Sequence, residues 1–535
     1  MNMERRFIYL FLGLVGIIAI YYWARGVVML DPDFGWHIRM GQIILSNGIP
    51  ATDPFSYSMP SYPVVGHEWL TDILLAWLLP VIGYKGLAGI FTFISLGALV
   101  LQWKAVRKQQ RQFVFIPFFL SLTTLVFFFG IRPQVISWFF FSLILFVVRD
   151  RERFRKWRWW LPVVFLVWAN LHGGFPLGIG VLLAAIVYWA TTRDRPYNVL
   201  HRAKTWFRPY KNKFSVFSAG AVFLLCIGAT FITPYGRGNW WEVWMTMTDS
   251  SLRWAIQEWM PAIFSLIFSF WVYFAFSVFL VIRYIKRYTL LDIFLYFGFL
   301  AAAFSSVRHI PLWAIVSLPV TTQGLFFLYR EAAKIQYGKI RLGKALKGFF
   351  VIICFVILLG VVEFLVNMPK VLVNADSNTG YPDKAVSYLR RYIPKGEVFS
   401  SYNWGGYLIW KLQEKKVFID GRMPSWRWKA HIRGESDYAF EEYGKFLNGE
   451  LAFRSFTSKY GISTLLVPVE DNSKQTELQK QIASLDNFVK KSLHMKPEKE
   501  AGFSNVVKAA KKAGWVVVYK DAKVVIYQNK DIEVR

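Results

Sequence analysis

Apolar stretches long enough to approach a membrane span recur between residues 7 and 366, and they constrain the fold more than any other feature. They lie at 7–29, 86–103, 113–130, 134–148, 160–171, 175–192, 215–233, 261–282, 289–304, 310–329 and 348–366. A chain of 535 residues that is 55% hydrophobic and 19% aromatic is not a disordered chain, an ordinary cytosolic enzyme or a disulfide scaffold. The pattern predicts an α-helical membrane domain over residues 1–366 and a soluble domain over residues 367–535.

A further amphipathic stretch at 69–83 either spans the membrane or lies along its surface, and the basic residues distinguish the two cases. If it lies on the outer surface and the N-terminus is cytoplasmic, the inner segments hold 28 Lys and Arg residues and the outer loops hold 6. Positively charged loops stay on the cytoplasmic side. We therefore predict about eleven spans, a first external loop at 31–85 and a juxtamembrane helix at 69–83. This topology predicts a multi-pass protein of the cytoplasmic (inner) membrane whose C-terminal domain is extracytoplasmic.

The net charge of +29 is largely explained by this topology. Basic residues that mark inner loops are not a nucleic-acid footprint, so we expect membrane lipid and no nucleic acid among the partners. The two cysteines, Cys226 and Cys354, both lie in apolar stretches and indicate nothing about the redox compartment.

The soluble domain is predicted to be a compact α/β domain, because short β-branched runs alternate with amphipathic segments. The predicted strands are 398–401, 417–420, 463–467, 515–519 and 524–528. The predicted helices lie near 383–392, 405–412, 437–449 and 474–491.

Candidate catalytic residues come directly after the first span, where the first external loop begins with Asp31, Asp33 and His37. Two carboxylates at positions i and i+2 can bind one divalent cation. Alternatively, one can act as a general base while the other adjusts its pKa. A helix cap or turn at a membrane exit is the alternative interpretation, since Asp and Pro favour such positions.

Other ionisable residues concentrate at the same predicted membrane level. They are Arg132, His172, Glu258, Arg308 and His309. An arginine at the end of a span either extends its charge into the headgroup region or binds an anion, and a lipid phosphate is the obvious anion. For His172 the alternative is a packing role beside Gly173 and Gly174.

This layout resembles the GT-C membrane glycosyltransferases, which include protein O-mannosyltransferases, the aminoarabinose transferases of lipid A and oligosaccharyltransferase catalytic subunits. The run Asp31-Pro-Asp-Phe-Gly-Trp-His37 is similar to the first-loop motif of the last group. The run Asn403-Trp404-Gly405-Gly406-Tyr407 is similar to the strand-to-helix motif of their external domain, although the acidic residue of that motif is absent. The fold class expected is thus a polytopic, GT-C-like membrane protein with a C-terminal extracytoplasmic α/β domain.

The resemblance implies transfer of a sugar from a polyprenyl-phosphate carrier to a lipid, glycan or protein acceptor at the outer face of the membrane. It implies that Asp31 or Asp33 is the catalytic carboxylate, and that Asp31 and Glu258 are candidate ligands of Mg²⁺ or Mn²⁺. Substrate-binding candidates are His37, Arg132, His172, Arg308, His309, Trp404 and Tyr407. Three alternatives remain: transfer from a pyrophosphate-linked oligosaccharide, lipid or glycan transport, and an envelope scaffold without catalysis.

Overall fold

The computed structural model describes residues 3–192, 216–249, 256–265, 267–333, 336–337, 340–341, 380–429, 432–469 and 502–529. The chain divides into two compact units. The helical unit comprises Met1–Leu30, Gly66–Thr71 and Leu78–Asn378, and the sheet unit comprises Asp31–Val65, Asp72–Trp77 and Thr379–Arg535. The structure therefore groups most of the first external loop with the C-terminal domain. The predicted boundary at residues 366 and 367 lies outside the described residues.

Most of the α-helices before the C-terminal domain coincide with the predicted apolar stretches. The helices in this part of the chain are α1 (Met3–Val28), α2 (Phe34–Asn47), α3 (Trp69–Ala105), α4 (Phe115–Leu125), α5 (Pro133–Val148), α6 (Arg151–Trp157), α7 (Leu161–Leu171), α8 (Phe175–Thr191), α9 (Val216–Ala229), α10 (Arg237–Thr248), α11 (Phe268–Arg283), α12 (Leu290–Ser305) and α13 (Ile310–Ala332). Short 3₁₀ turns connect or extend them at Lys108–Phe113, Val126–Phe128, Arg158–Trp160, Gln257–Trp259, Ala262–Phe264, Ile285–Arg287 and Val307–His309. Helices α2, α6 and α10 are additional to the predicted stretches.

Two of the described helices are long and apolar enough to cross a membrane, namely Trp69–Ala105 and Val307–Ala332, which joins a 3₁₀ turn to α13. A third crossing results if the pair Pro133–Val148 and Arg151–Leu171, bent by 117°, is counted as one span. Shorter apolar helices include Phe115–Phe128, Phe175–Thr191 and Leu290–Ser305. The count of eleven spans stays a prediction, and its last member, 348–366, lies outside the described residues.

Helix α3 contains both the predicted juxtamembrane stretch 69–83 and the predicted span 86–103. Its backbone is interrupted at Gly83, which has φ 64° and ψ 178°, and Pro80 lies just before this break. Glycine adopts a positive φ without the steric cost that a Cβ would impose. The break between the predicted juxtamembrane helix and the predicted span therefore lies at this one residue.

Proline sets where several membrane-domain helices begin. Helices α5, α7, α8 and α13 each carry a proline in their first two positions. Proline at this position has the right φ already and lacks only an N–H group that would have no partner in the helix. The packed interior between these helices is aromatic, with Trp138, Trp168 and Trp313 almost fully buried.

The C-terminal part of the sheet unit forms a four-stranded sheet in the order β3–β4–β6–β5. Strands β3 (Glu397–Ser400) and β4 (Ile462–Pro468) are parallel, and β6 (Val524–Gln528) pairs antiparallel with β4 and with β5 (Val516–Lys520). The helices here are α14 (Asp383–Arg391), α15 (Gly405–Lys411), α16 (Ala439–Leu447), α17 (Phe453–Lys459) and α18 (Ser504–Lys512). Short 3₁₀ turns lie at Tyr402–Trp404 and Met423–Ser425. Apart from this sheet, the two-residue strands β1 (Gln336–Tyr337) and β2 (Ile340–Arg341) pair antiparallel with each other. The α/β prediction is confirmed by this small sheet, and the predicted helix near 474–491 lies outside the described residues.

The predicted strand at 417–420 is wrong. Val417 instead makes an isolated parallel bridge with Ser56 of the first external loop. The Val417 amide donates to the carbonyl of Phe55 at 3.0 Å, and its carbonyl accepts from the amide of Tyr57 at 3.0 Å. The apolar run at 417–420 is buried because it packs against the first external loop. A short apolar run fits a sheet strand and a covered loop equally well, which is why the prediction failed.

Candidate functional site

Asp31 and Asp33 stand immediately before helix α2, which begins at Phe34. A carboxylate oxygen of Asp31 accepts the backbone amide of Asp33 at 3.0 Å, as in an Asx turn. A carboxylate oxygen of Asp33 accepts the indole N–H of Trp36 at 3.1 Å. The positive end of the helix dipole favours two carboxylates at this position. Each carboxylate is thus oriented by local bonds and is only partly buried.

Two glycines bring the first-loop motif against the motif of the external domain. A Cβ on Gly35 would collide with the carbonyl oxygen of Gly406, and a Cβ on Gly406 would collide with the carbonyl oxygen of Pro32. The start of α15 therefore lies in backbone contact with the start of α2. The carboxylate of Asp33 also fills the space where a side chain on Gly421 would stand. Motifs that are almost four hundred residues apart in sequence meet around the two aspartates.

Trp404 and Tyr407 hold the segment that leads into α14. The indole N–H of Trp404 donates to the carbonyl of Gly380 at 3.1 Å. The Tyr407 ring stacks on Tyr381 with centroids 4.8 Å apart, and its hydroxyl donates to Asp383. Burial raises the pKa of the Tyr381 hydroxyl, and the negative charges of Asp31 and Asp33 raise it further. Tyr381 is therefore a neighbour of the carboxylate pair that the sequence did not single out.

His37 forms a buried pair with Asp72. Its Nδ1 lies 2.6 Å from an Asp72 carboxylate oxygen, and the two side chains are 3% and 1% exposed. The Trp36 ring lies against the His37 ring at 3.6 Å between centroids. Because His37 is almost fully buried, it contributes to the packing of the first loop. Its predicted contact with substrate stays a prediction.

A buried ion cluster in the sheet unit was missed by the sequence reasoning. The guanidinium of Arg422 donates to Asp53 at 2.8 Å and to Asp420 at 2.6 Å, and both carboxylates are fully buried. Burial alone lowers the pKa of Arg422, but Asp420 and Asp53 outweigh it and raise the pKa above its ordinary value. Asp53 also accepts the amides of Phe55 and Ser56. This cluster ties the first loop to the segment after residue 417.

In the helical unit, a cavity of about 100 Å³ is lined by four basic side chains, namely His67, His172, Arg308 and His309. Its apolar wall includes Trp138, Phe141, Trp168, Leu177 and Leu312. Three helices begin at this cavity, because first-turn residues of α5, α8 and α13 line it. The N-terminal end of a helix carries partial positive charge and unpaired N–H groups. The cavity therefore combines an apolar wall with an environment that favours an anion.

Arg132 and Glu258 form an ion pair in the same unit, with 2.7 Å between the guanidinium nitrogen and the carboxylate oxygen. Burial raises the pKa of Glu258, but the charges of Arg132 and Arg308 outweigh it, so its pKa is lowered. The guanidinium of Arg308 lies 5.0 Å from the centre of the Trp259 ring. The structure thus brings together the predicted residues Arg132, Glu258 and Arg308.

His67 and Glu68 belong to this cavity region and were not among the predicted site residues. A Glu68 carboxylate oxygen lies 3.5 Å from Nε2 of His67 and 3.3 Å from Nε2 of His172. A Cβ on Gly173 would meet the His67 ring at 2.8 Å, which explains the small residue in the turn between α7 and α8. The available signal was the adjacent His-Glu pair directly before the juxtamembrane helix.

The divalent cation implied by the resemblance has no ligand set within the described residues: no three His, Cys, Asp or Glu side chains there are grouped to hold a metal ion. Asp31 is engaged with the amide of Asp33, and Glu258 is engaged with Arg132. Metal binding by Asp31 and Glu258 therefore stays a prediction.

No protein-family model matches the chain. No curated protein matches it at the sequence level.

Solved structures do match. An oligosaccharyltransferase of Archaeoglobus fulgidus in the apo form has a TM-score of 0.55 at 11% identity, covering 87% of this chain and 70% of that one. The archaeal oligosaccharyltransferase AglB from Archaeoglobus fulgidus, in complex with an inhibitory peptide and a dolichol-phosphate, has a TM-score of 0.52 at 11% identity, covering 99% of this chain and 75% of that one. ArnT of Cupriavidus metallidurans in the apo state has a TM-score of 0.50 at 12% identity, covering 98% of each chain.

AglB and ArnT are both GT-C glycosyltransferases. The TM-scores of 0.55 and 0.50 show a shared fold. At identities of 11% and 12%, this likeness leaves the activity open. This chain therefore has the fold of the GT-C glycosyltransferases, the superfamily that its first-loop and external-domain motifs resemble.

Proposed function

We propose that this protein is a membrane glycosyltransferase that moves a sugar from a polyprenyl-phosphate carrier to an acceptor at the outer face of the cytoplasmic membrane. The observation that carries the proposal is the cavity of the helical unit, where basic side chains and three helix N-termini face an aromatic wall. A carrier lipid presents the same combination, a phosphate attached to an apolar chain. The AglB structure that contains a dolichol-phosphate supports this ligand class for the fold.

In the proposed reaction the acceptor oxygen attacks the anomeric carbon of the sugar while the bond from that carbon to the phosphate oxygen breaks. The proton of the acceptor hydroxyl passes to Asp31 or Asp33, and the electron pair of the broken bond remains on the carrier phosphate. Arg308, together with His309, would stabilise the charge that develops on this phosphate. Arg132 would act through its ion pair with Glu258, and Trp404 and Tyr407 by holding the 380–383 segment beside the carboxylates.

The test is mass spectrometry of lipid products after purified protein is incubated with a native pool of polyprenyl-linked sugars. Free polyprenyl phosphate is the expected product. Asp31→Asn with Asp33→Asn should reduce its formation at least about 100-fold, because general-base catalysis contributes on this scale. Glu441→Gln removes an exposed carboxylate of the sheet unit and should leave product formation unchanged.

The other outcomes separate the alternatives. Release of polyprenyl pyrophosphate would instead support transfer from a pyrophosphate-linked oligosaccharide. No release from any carrier by well-folded protein would support transport or scaffolding. The same assay with EDTA tests the cation: loss of product that Mg²⁺ or Mn²⁺ restores would support it, and full activity in EDTA would exclude a removable metal.

A further inference from the structure

The hydrogen bonds around His172 determine which of its ring nitrogens carries a proton. The amide N–H of Gly174 donates to Nδ1 at 3.0 Å, so Nδ1 has its lone pair and no proton. The hydroxyl of Ser137 lies 2.6 Å from the same nitrogen and accepts the indole N–H of Trp168 at 2.7 Å, so its own proton is directed to Nδ1. His172 is therefore neutral and carries its proton on Nε2.

A carboxylate oxygen of Glu68 lies 3.3 Å from this Nε2. The same oxygen lies 3.5 Å from Nε2 of His67, and the two imidazole rings are 6.2 Å apart between centroids. Glu68 is thus held between a histidine that cannot take a second proton without losing its bonds to Gly174 and Ser137, and a histidine that can. The two histidines have different roles although both line the cavity.

The groups around His67 come from four segments of the helical unit. Glu68 follows it in the chain, His172 lies in the turn after α7, Glu242 is on α10 and Arg308 lies before α13. Burial lowers the pKa of His67, but the carboxylates of Glu68 and Glu242 outweigh both burial and Arg308 and raise it above 6.5. Burial also raises the pKa of Glu242, partly opposed by His67, so the pKa of each group lies above its ordinary value.

We propose that His67 is the titratable cation of this cavity, that His172 is held neutral as the partner that orients Glu68, and that the ligand recognised is a phosphate monoester. The inference rests on the proposed function for its ligand class. Protonated His67 adds a third cation to Arg132 and Arg308, which face the carboxylates Glu68, Glu242 and Glu258. When His67 loses its proton, the carboxylates outnumber the cations, and the attraction for an anion is lost.

The experiment measures binding of farnesyl phosphate to the full-length protein in detergent at pH 6.0 and pH 8.5, for wild type and His67→Gln. Titration of the ligand phosphate changes both affinities by the same factor, so it does not affect the ratio of the wild-type affinity to the variant affinity. Because a charged hydrogen bond is removed, wild type should bind about tenfold more tightly at pH 6.0. The two affinities should converge at pH 8.5, because wild type loses the charge of His67 as the pH rises through its pKa.

Two further variants complete the design. Lys108→Gln removes an exposed cation outside the cavity and should match wild type at both pH values. Glu68→Gln removes the carboxylate that raises the pKa of His67. The pKa of His67 should therefore fall, and binding should weaken at a lower pH than in wild type. This second variant also tests the proposal if His67→Gln does not fold.

An affinity ratio that is the same at both pH values would overturn the assignment of His67 while leaving the proposed function intact. Absence of farnesyl phosphate binding by wild type at either pH would overturn the ligand class and the proposed function together. NMR of protein with ¹³C-labelled histidine tests the charge states without ligand. The signal that disappears in His67→Gln should titrate above pH 6.5, and the signal that disappears in His172→Gln should not titrate between pH 5.5 and 8.5; the reverse assignment would contradict the proposal.

Discussion

At the scale of single residues, polar groups in this protein have partners that lie far away in the sequence. Arg422 bonds to Asp53 across 369 positions, and Asp33 packs where Gly421 has no side chain. Neither contact has a local sequence signature. The sequence singled out aspartates, histidines and arginines as candidate site residues, but it could not predict their pairing, because pairing depends on which segments pack together.

The Arg422 cluster leads to a stability prediction. Arg422→Gln leaves the fully buried carboxylates of Asp53 and Asp420 without their cation. Breaking a buried ion pair by removing one partner costs about 3–5 kcal/mol. We expect a clear drop in the thermal unfolding midpoint of the purified full-length protein. Arg427→Gln, an exposed arginine nearby, should change stability by less than about 0.5 kcal/mol. Equal midpoints for the two variants would show that the buried cluster contributes nothing.

At the scale of elements, glycine and proline determine how helices begin and how closely they approach. Proline marks the starts of α5, α7, α8 and α13, which is visible in the sequence because the effect is local. Helix α2, in contrast, was not predicted. Its buried residues, among them Phe34, Trp36 and Ile38, form a face only once the loop packs on α15. Helix α10 was likewise not predicted, since its residues carry little helical periodicity.

The contact between α2 and α15 yields a prediction at this scale. Gly406→Ala introduces a methyl group that collides with the carbonyl oxygen of Pro32, a backbone atom that cannot rotate away. We expect a loss of about 1–3 kcal/mol, measured as a lower unfolding midpoint. Because the shift moves α2, glycosyl transfer should fall as well.

The matched control is Gly444→Ala on helix α16. A Cβ at Gly444 would meet no atom within 4 Å, and alanine favours helix over glycine by up to about 1 kcal/mol. The same substitution should therefore be neutral or stabilising there. If Gly406→Ala behaved like Gly444→Ala, the two helices could not be in backbone contact.

At the scale of the whole molecule, the predicted topology places the C-terminal domain outside the cytoplasm. The basis is the ratio of 28 basic residues in inner segments to 6 in outer loops. Lys445→Cys on α16, in a protein whose Cys226 and Cys354 are replaced, should react with a membrane-impermeant maleimide in intact spheroplasts. Lys108→Cys, in a predicted inner loop, should react only after lysis. The opposite pattern of labelling would reverse the topology and with it the outer-face reaction.

The sequence by itself determined the membrane class, the positions of most apolar helices and the presence of a C-terminal α/β domain. Hydrophobicity, loop charge and helix starts are properties of short segments, so they can be read without knowing what a segment contacts. Only the tertiary structure decided that the first loop belongs with the sheet unit, that Gly35 meets Gly406, and that Glu68 lies next to both His67 and His172. These features depend on burial and on distances between segments remote in sequence, which no local pattern contains.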